Sequence, residues 1–225
     1  MLGGCDILFP ARDSLRYRVR LEVETPSGLR QGSSVLESRN ISGATGLLRS
    51  FQYPSSDCYG EAAIVDLGGG KQLFAVREDA YSSRQIYEMV QRMLAYPPDE
   101  LHPPLPSSPR RGNWQVAYPE ARKAETRAEI HRRDYPLLVS FRDRRDPGTI
   151  YEVDPDDLSS AFGAGHRLRR IIVQVTSDPL TDGPVLDALP WLRDVRGSIN
   201  PLLSQSSANP VARLGRHAFR YMDDA

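Results

Sequence analysis

The sequence predicts an α+β fold, mainly antiparallel β-sheet with two or three short helices and a proline-rich insertion. Three observations lead there. Residues 15–24 alternate, with Leu15, Tyr17, Val19, Leu21 and Val23 on one side and Arg16, Arg18, Arg20, Glu22 and Glu24 on the other. A period of two lays one face of a strand on a core and turns the other to water. Two apolar runs meet at Gly68-Gly69-Gly70, a hairpin signature. Helical spacing is clearest over one stretch, residues 82–96.

In chain order, residues 1–14 lack periodicity and read as a tether before the first strand. Thr25-Pro26-Ser27-Gly28 turns that strand, and residues 32–39 return as its antiparallel partner. Residues 41–57 are rich in Gly and Ser and end in Tyr53-Pro54-Ser55-Ser56-Asp57, which predicts a loop. Residues 61–67 and 71–76 pair through the triple glycine. Ser82 or Ser83 caps a helix that carries Ile86, Met89, Val90, Met93 and Leu94 on one face, and Tyr96-Pro97-Pro98 stops it. Prolines at 97, 98, 103, 104, 106, 109 and 119 cannot sustain ladder or helix bonds, so the region is expected to be extended and exposed. Residues 120–133, charged and containing alanine, are expected to form an exposed helix.

Order resumes at Tyr135. Residues 136–141 read as a buried strand, 142–148 as a polar turn and 149–153 as the returning partner. Asp154-Pro155-Asp156-Asp157-Leu158 predicts a helix start, with an Asp cap, Pro at the first position and acids facing the positive dipole end. Phe162-Gly163 closes that helix. Residues 168–176 form another strand, and Thr181-Asp182-Gly183-Pro184 leads into a short helix ending near Pro190-Trp191-Leu192. The pattern Val211, Leu214, Phe219, Tyr221 adds one edge strand or stays mobile. The expected organisation is a tether over 1–14, one domain over 15–192 with an exposed insertion over 97–134, and a C-terminal tail over 193–225.

A chain of 225 residues buries a sizeable core. Its 29 basic and 29 acidic residues cancel, so no global field points to nucleic acid, which is not expected as a partner. No run approaches the roughly 18 apolar residues of a membrane span. Cys5 and Cys58 are too few for a disulfide scaffold, and Cys58 reads as a buried, small apolar residue.

Four groups of residues bear on chemistry. The segment Ile64-Val65-Asp66-Leu67-Gly68-Gly69-Gly70-Lys71 resembles the phosphate-binding hairpin of actin-like and Hsp70-type ATPases, in which glycines let backbone amides approach phosphate. That fold needs two lobes longer than this chain, and Lys71 stands where the family has Thr or Ser; a plain hairpin turn accounts for the residues. Asp154, Asp156 and Asp157, with Asp178 and Asp182, are weak candidates for a metal site, since hard cations favour converging carboxylates. Their spacing misses the EF-hand pattern, and helix capping is the better reading, so neither metal nor cofactor is expected. His102, His131, His166 and His217 never fall at ligand spacing, and no Gly-x-Ser-x-Gly elbow occurs, so no catalytic residue is assigned. Arg142, Arg144, Arg145, Arg167, Arg169 and Arg170 lie among Asp143, Asp146, Asp154, Asp156 and Asp157, which predicts a mutually neutralising surface.

Met1-Leu2-Gly3-Gly4-Cys5 looks like the end of a bacterial lipoprotein signal, where a Leu, two small residues and a Cys mark diacylglycerol attachment and cleavage. On this reading Cys5 is lipidated, and each buried methylene of the anchor contributes about 0.8 kcal/mol. Such a signal needs a basic start and an apolar stretch of about 7–15 residues before Cys5. Either the true start lies upstream, or the match is chance in a cytosolic protein. Asp6 after the Cys favours retention in the inner membrane.

The chain is similar to a group of uncharacterised proteobacterial envelope lipoproteins, mostly alphaproteobacterial. The likeness lies in Leu2-Gly3-Gly4-Cys5-Asp6, residues 17–28, Gly32-Ser33-Ser34-Val35, residues 143–147, residues 153–158, Phe162-Gly163 and Leu189-Pro190-Trp191-Leu192. The resemblance implies a full signal peptide and assigns no activity. The expected protein is therefore a non-catalytic envelope lipoprotein on the periplasmic side of a bacterial membrane. It binds the membrane through its anchor and a protein partner or envelope component, with the proline-rich insertion as a contact. The alternatives are a metal-assisted or other hydrolase using the aspartates near Asp154, and a cytosolic protein with a chance lipobox match. Convergence of Asp154, Asp157, Asp178 or a histidine in one concave pocket would favour the hydrolase.

Overall fold

The computed structural model describes residues 12–41, 55–79, 121–123, 125–203 and 209–222. The tether with Cys5, the helix expected over 82–96 and the prolines of 97–119 lie outside the described residues.

Strands β1 (Arg12–Thr25) and β2 (Gly28–Ile41) form one long antiparallel hairpin. Gly28 takes φ 110° at the turn, a conformation open to glycine. Strands β3 (Ser55–Glu61), β9 (Arg167–Val175), β6 (Arg127–Glu129) and β10 (Arg220–Tyr221) complete a six-stranded sheet in the order β10-β3-β2-β1-β9-β6. A second sheet runs β4-β5-β7-β8, from β4 (Ala63–Gly68), β5 (Lys71–Asp79), β7 (Pro136–Phe141) and β8 (Ile150–Glu152). The named strand pairings in both sheets are antiparallel, so the fold is α+β and mainly β.

Side-chain alternation explains the layering. Leu15, Tyr17, Val19, Leu21 and Val23 of β1 face Val65, Leu73, Ala75 and Leu138 of the second sheet across the first core. Phe74, Val76, Leu137, Val139 and Phe141 point the other way, into a second core. That core is closed by the short helices α2 (Pro184–Ala188) and α3 (Arg216–Phe219) and by the segments around them. The four-stranded sheet is therefore covered on both faces, which is why β7 is buried throughout rather than alternating, its one hydroxyl, Ser140, satisfied by the Gln72 carbonyl at 2.7 Å. The two sheets approach closely at Gly32, where an added Cβ would lie 1.8 Å from the Ile64 carbonyl oxygen.

Four expectations change. Residues 55–57 are strand rather than loop, paired with Arg39 to Ile41 of β2. Within 120–133 only residues 121–123 are α-helical among those described, and a short 3-10 turn begins at Arg132; residues 127–129 form β6 on the edge of β9, and Ile130 enters the first core. Open ladder groups on β9 outweighed the weak helical preference of that segment. The Asp154 turn does not start a helix. The helix α1 (Leu158–Phe162) begins one turn later, capped by Asp157, and ends at Gly163 with φ 95°. Finally, Ile199, Val211, Leu214 and Phe219, expected in a tail, fill the second core, while β10 supplies the edge strand.

Buried polar groups lock these layers. The Glu61 carboxylate is fully buried and accepts the backbone N–H groups of Gly183 (3.0 Å) and Val185 (2.9 Å) and Nε–H of Arg220 (3.1 Å). One side chain thus caps α2 and pins β10. Glu22, expected on the wet face of β1, is buried and takes Arg170 Nε at 2.7 Å.

Candidate functional site

The β4–β5 turn, the outer ends of β7 and β8 and helix α1 enclose a cleft of about 670 Å³. Gly69, Gly70 and Lys71 of the turn, Ser140, Phe141 and Arg142 at the end of β7, Tyr151 and Glu152 of β8, and Asp154, Asp157, Ser160 and Phe162 beyond it line the cleft. The local reason is topological. Antiparallel pairing of β5 with β7 brings the start of β5 to the end of β7, so Lys71 and Arg142 share one end of the sheet. The turn after β8 then carries Asp154 and Asp157 over it.

Three glycines with φ 84°, 61° and 77° make the Gly68–Gly70 turn. Asp66 accepts the Gly68 N–H at 2.9 Å, so it serves the hairpin itself. Lys71 reaches across the cleft, and its Nζ donates to the Phe162 carbonyl at 2.7 Å, tying α1 to the turn. The Arg142 guanidinium lies over the Tyr151 ring, 5.5 Å from its centroid.

The three carboxylates behave differently. Asp157 accepts Ser159 Oγ at 2.6 Å, the Ser160 N–H at 3.2 Å and Ser160 Oγ; these bonds hold its carboxyl below the ordinary range. Asp154 accepts the Asp156 N–H at 2.9 Å. Glu152 is raised above the ordinary range, first by desolvation and then by the charge on Asp154.

Several guanidinium groups find carboxylates: Arg170 with Glu22 (2.7 Å), Arg167 with Glu24 (2.8 Å), Arg132 with both Asp156 (2.7 Å) and Asp154 (3.7 Å), and Arg220 with Glu61 (3.1 Å). Within the cleft, and among the described residues, neither Lys71 nor Arg142 forms an ion pair with Glu152, Asp154 or Asp157. Both signs are present and they do not meet.

The structure separates the other candidates. Of the three weak metal candidates, Arg132 pairs with both Asp156, whose carboxyl it lowers below the ordinary range, and Asp154 at 3.7 Å, so a cation is already supplied by the chain there. Asp178 pairs with Arg18 and accepts Thr176 Oγ1 at 2.7 Å, and Asp182 accepts from Arg220 at 3.1 Å, both away from the cleft. Among the described residues no three His, Cys, Asp or Glu side chains gather to hold a metal ion. His131 accepts the Arg133 N–H at 3.3 Å, His166 sits 2.8 Å from the Gly163 carbonyl, and His217 stacks edge-on with Tyr221; none lines the cleft. Cys58 is fully buried with its Sγ 3.2 Å from the Tyr17 hydroxyl. The expected neutralisation among the Arg and Asp turns is mostly replaced: Arg167 and Arg170 pair with glutamates of β1, and Arg144 donates to Gln72 Oε1 at 3.1 Å.

The sequence singled out Asp154 and Asp157 but not their neighbours Tyr151 and Glu152, and it placed Lys71 in a different motif. The signal that joins them is strand register, which sequence pattern alone does not carry. The chain matches no family model, no curated protein and no solved structure.

Proposed function

We propose that this chain is a non-catalytic envelope lipoprotein, anchored on the periplasmic side through Cys5, that binds a polar envelope component in the cleft beside Arg142. One observation carries the binding reading: a cleft of about 670 Å³ is lined by Lys71, Arg142, Tyr151, Asp154 and Ser160, with the Arg142 guanidinium held over the Tyr151 ring. A concave site with convergent polar and charged groups beside an aromatic ring is the form a binding site for a polar ligand takes. The proline-rich stretch is the proposed contact for a protein partner, since extended segments dock at low ordering cost.

Amide chemical-shift mapping against a solubilised envelope fraction tests the cleft. Shifts at Lys71, Arg142, Tyr151 and Asp154 are expected; shifts confined to other surfaces overturn it. Labelling with a palmitate analogue in the native host tests the anchor. Wild type should label and Cys5→Ala should not; equal labelling, or none in either, ends the lipoprotein reading.

A hydrolase is the second reading, favoured by one specific observation. Asp154 and Asp157 both line the cleft, the convergence of carboxylates in one concave pocket that favours catalysis. Mass spectrometry of the recovered ligand separates the two: unchanged ligand supports binding, and a hydrolysed product that vanishes in Asp154→Asn supports catalysis.

A further inference from the structure

Most of the charges that line the cleft are held in place by the protein itself. Lys71 donates to the Phe162 carbonyl at 2.7 Å. Asp157 accepts the Ser159 hydroxyl at 2.6 Å, the Ser160 N–H at 3.2 Å and the Ser160 hydroxyl. Arg132 stands 3.7 Å from Asp154, and the Arg142 guanidinium lies over the Tyr151 ring. Glu152 is exposed and, by strand alternation, turned to the opposite face of β8 from Tyr151. Lys71 and Arg142 thus share the lining with Glu152, Asp154 and Asp157, and neither sign dominates it.

We infer that the cleft takes a short neutral glycan, which rests on the cleft being the binding site. A ligand with a net charge gains at one of these groups and is repelled at another. An anion at Arg142 also meets Asp154 and Asp157, and a cation at Asp157 also meets Lys71 and Arg142. An apolar ligand would strip water from Arg142 and Asp157 and return no hydrogen bond. A sugar hydroxyl both donates and accepts, so hydroxyls on one ring accept from Arg142 and donate to a carboxylate, and bonds to charged groups are the stronger kind. None of these bonds requires the contacts that fix Lys71, Asp154 and Asp157 to break, and groups already fixed lose little freedom when a ligand arrives. Gly69 and Gly70, exposed and without side chains, let a ring come close to the backbone of the turn. The cleft, at about 670 Å³, lies within the range of sites that enclose small molecules.

Titration of the full chain with cellotriose, triacetylchitotriose, trigalacturonate and N-acetyl-trialanine amide, followed by calorimetry and amide shifts, tests this. At least one of the two neutral sugars is expected to bind at millimolar concentration or better and to shift the Gly70, Arg142 and Tyr151 amides. Its affinity should change less than about twofold between about 0.05 and 0.5 M salt, because screening acts on a ligand's net charge. Trigalacturonate, of similar size but carrying carboxylates, should bind at least about tenfold more weakly. In R142Q the neutral sugar should weaken by about tenfold, one hydrogen bond from a charged donor. Arg142 is exposed in a turn, and an amide spectrum unchanged away from the cleft establishes that this variant is folded. Tighter binding of trigalacturonate or of the neutral peptide than of either sugar overturns the inference, and so does an R142Q affinity equal to wild type. If neither neutral sugar binds, the glycan inference falls, while shifts with the envelope fraction keep the cleft as a binding site. If that fraction also leaves the cleft unshifted, the binding site falls with it.

Discussion

Glu22 occupies a position where alternation places a solvated side chain, yet it is buried beneath the six-stranded sheet's outer face. The reason is remote in sequence: Arg170 of β9 lies opposite it in the register and donates two hydrogen bonds. That hydrogen bonding holds the Glu22 carboxyl below the ordinary range. A depressed carboxyl stabilises the fold above the ordinary glutamate value, near 4.3, and loses that contribution as pH falls through its lower folded value. Glu22→Gln should therefore lower the urea midpoint at pH 7 and leave it nearly unchanged at pH 2. A uniform drop at both pH values would place the effect in packing instead. The apolar positions of β1 were legible because period two needs no partner; the burial of Glu22 was not, because its cover comes from a strand far along the chain.

At the scale of elements, strands and turns were readable wherever glycine or proline punctuates alternation, as in the β1–β2 and β4–β5 hairpins. Segments decided by what they pair with were not. Residues 127–129 have helix-compatible composition and become strand because β9 offers an open edge. The aspartates at 154–157 all suit a cap, and the helix register selected Asp157. Gly32 shows how an element can depend on one missing side chain. It lies within β2 at an ordinary backbone conformation, but the Ile64 carbonyl occupies the space a Cβ would take. Gly32→Ala should separate β2 from β4 and destabilise the protein by about 1–3 kcal/mol, as overpacking against backbone does. A denaturation curve that superimposes on wild type would show that the sheets are not tightly apposed there.

For the whole molecule, the four-stranded sheet is the middle layer, and its outer face is covered by chain from 184 onward. Phe219 is fully buried and meets Phe74 with ring centroids 6.0 Å apart. Phe219→Ala should cost about 3–5 kcal/mol, the range for a large aromatic lost from a core. A change within about 0.5 kcal/mol would return residues 193–225 to the role of a loosely attached tail. Sequence pattern recovered the mainly antiparallel class, but not the second core, because its members are scattered over short helical turns without sustained periodicity. The cleft was half legible for the same reason. Asp154 and Asp157 are neighbours in the chain, while Lys71 and Arg142 join them only through sheet order.

The central claim is that Arg142 and Glu152, unlike Lys71 and Asp157, are not needed by the fold and leave the cleft free to take a ligand. Glu152 is raised by partial desolvation and by Asp154, so its ionisation weakens the fold slightly as pH rises from the ordinary glutamate range toward its higher folded value. The most direct test is the unfolding free energy of Arg142→Gln, Glu152→Gln and the double variant at pH 7. No single variant should lose more than about 0.5 kcal/mol, Glu152→Gln should match or exceed wild type, and the two effects should add within about 0.5 kcal/mol. A loss above about 1 kcal/mol in Glu152→Gln, or a coupling of that size between the two sites, would make these residues a structural pair and contradict the account.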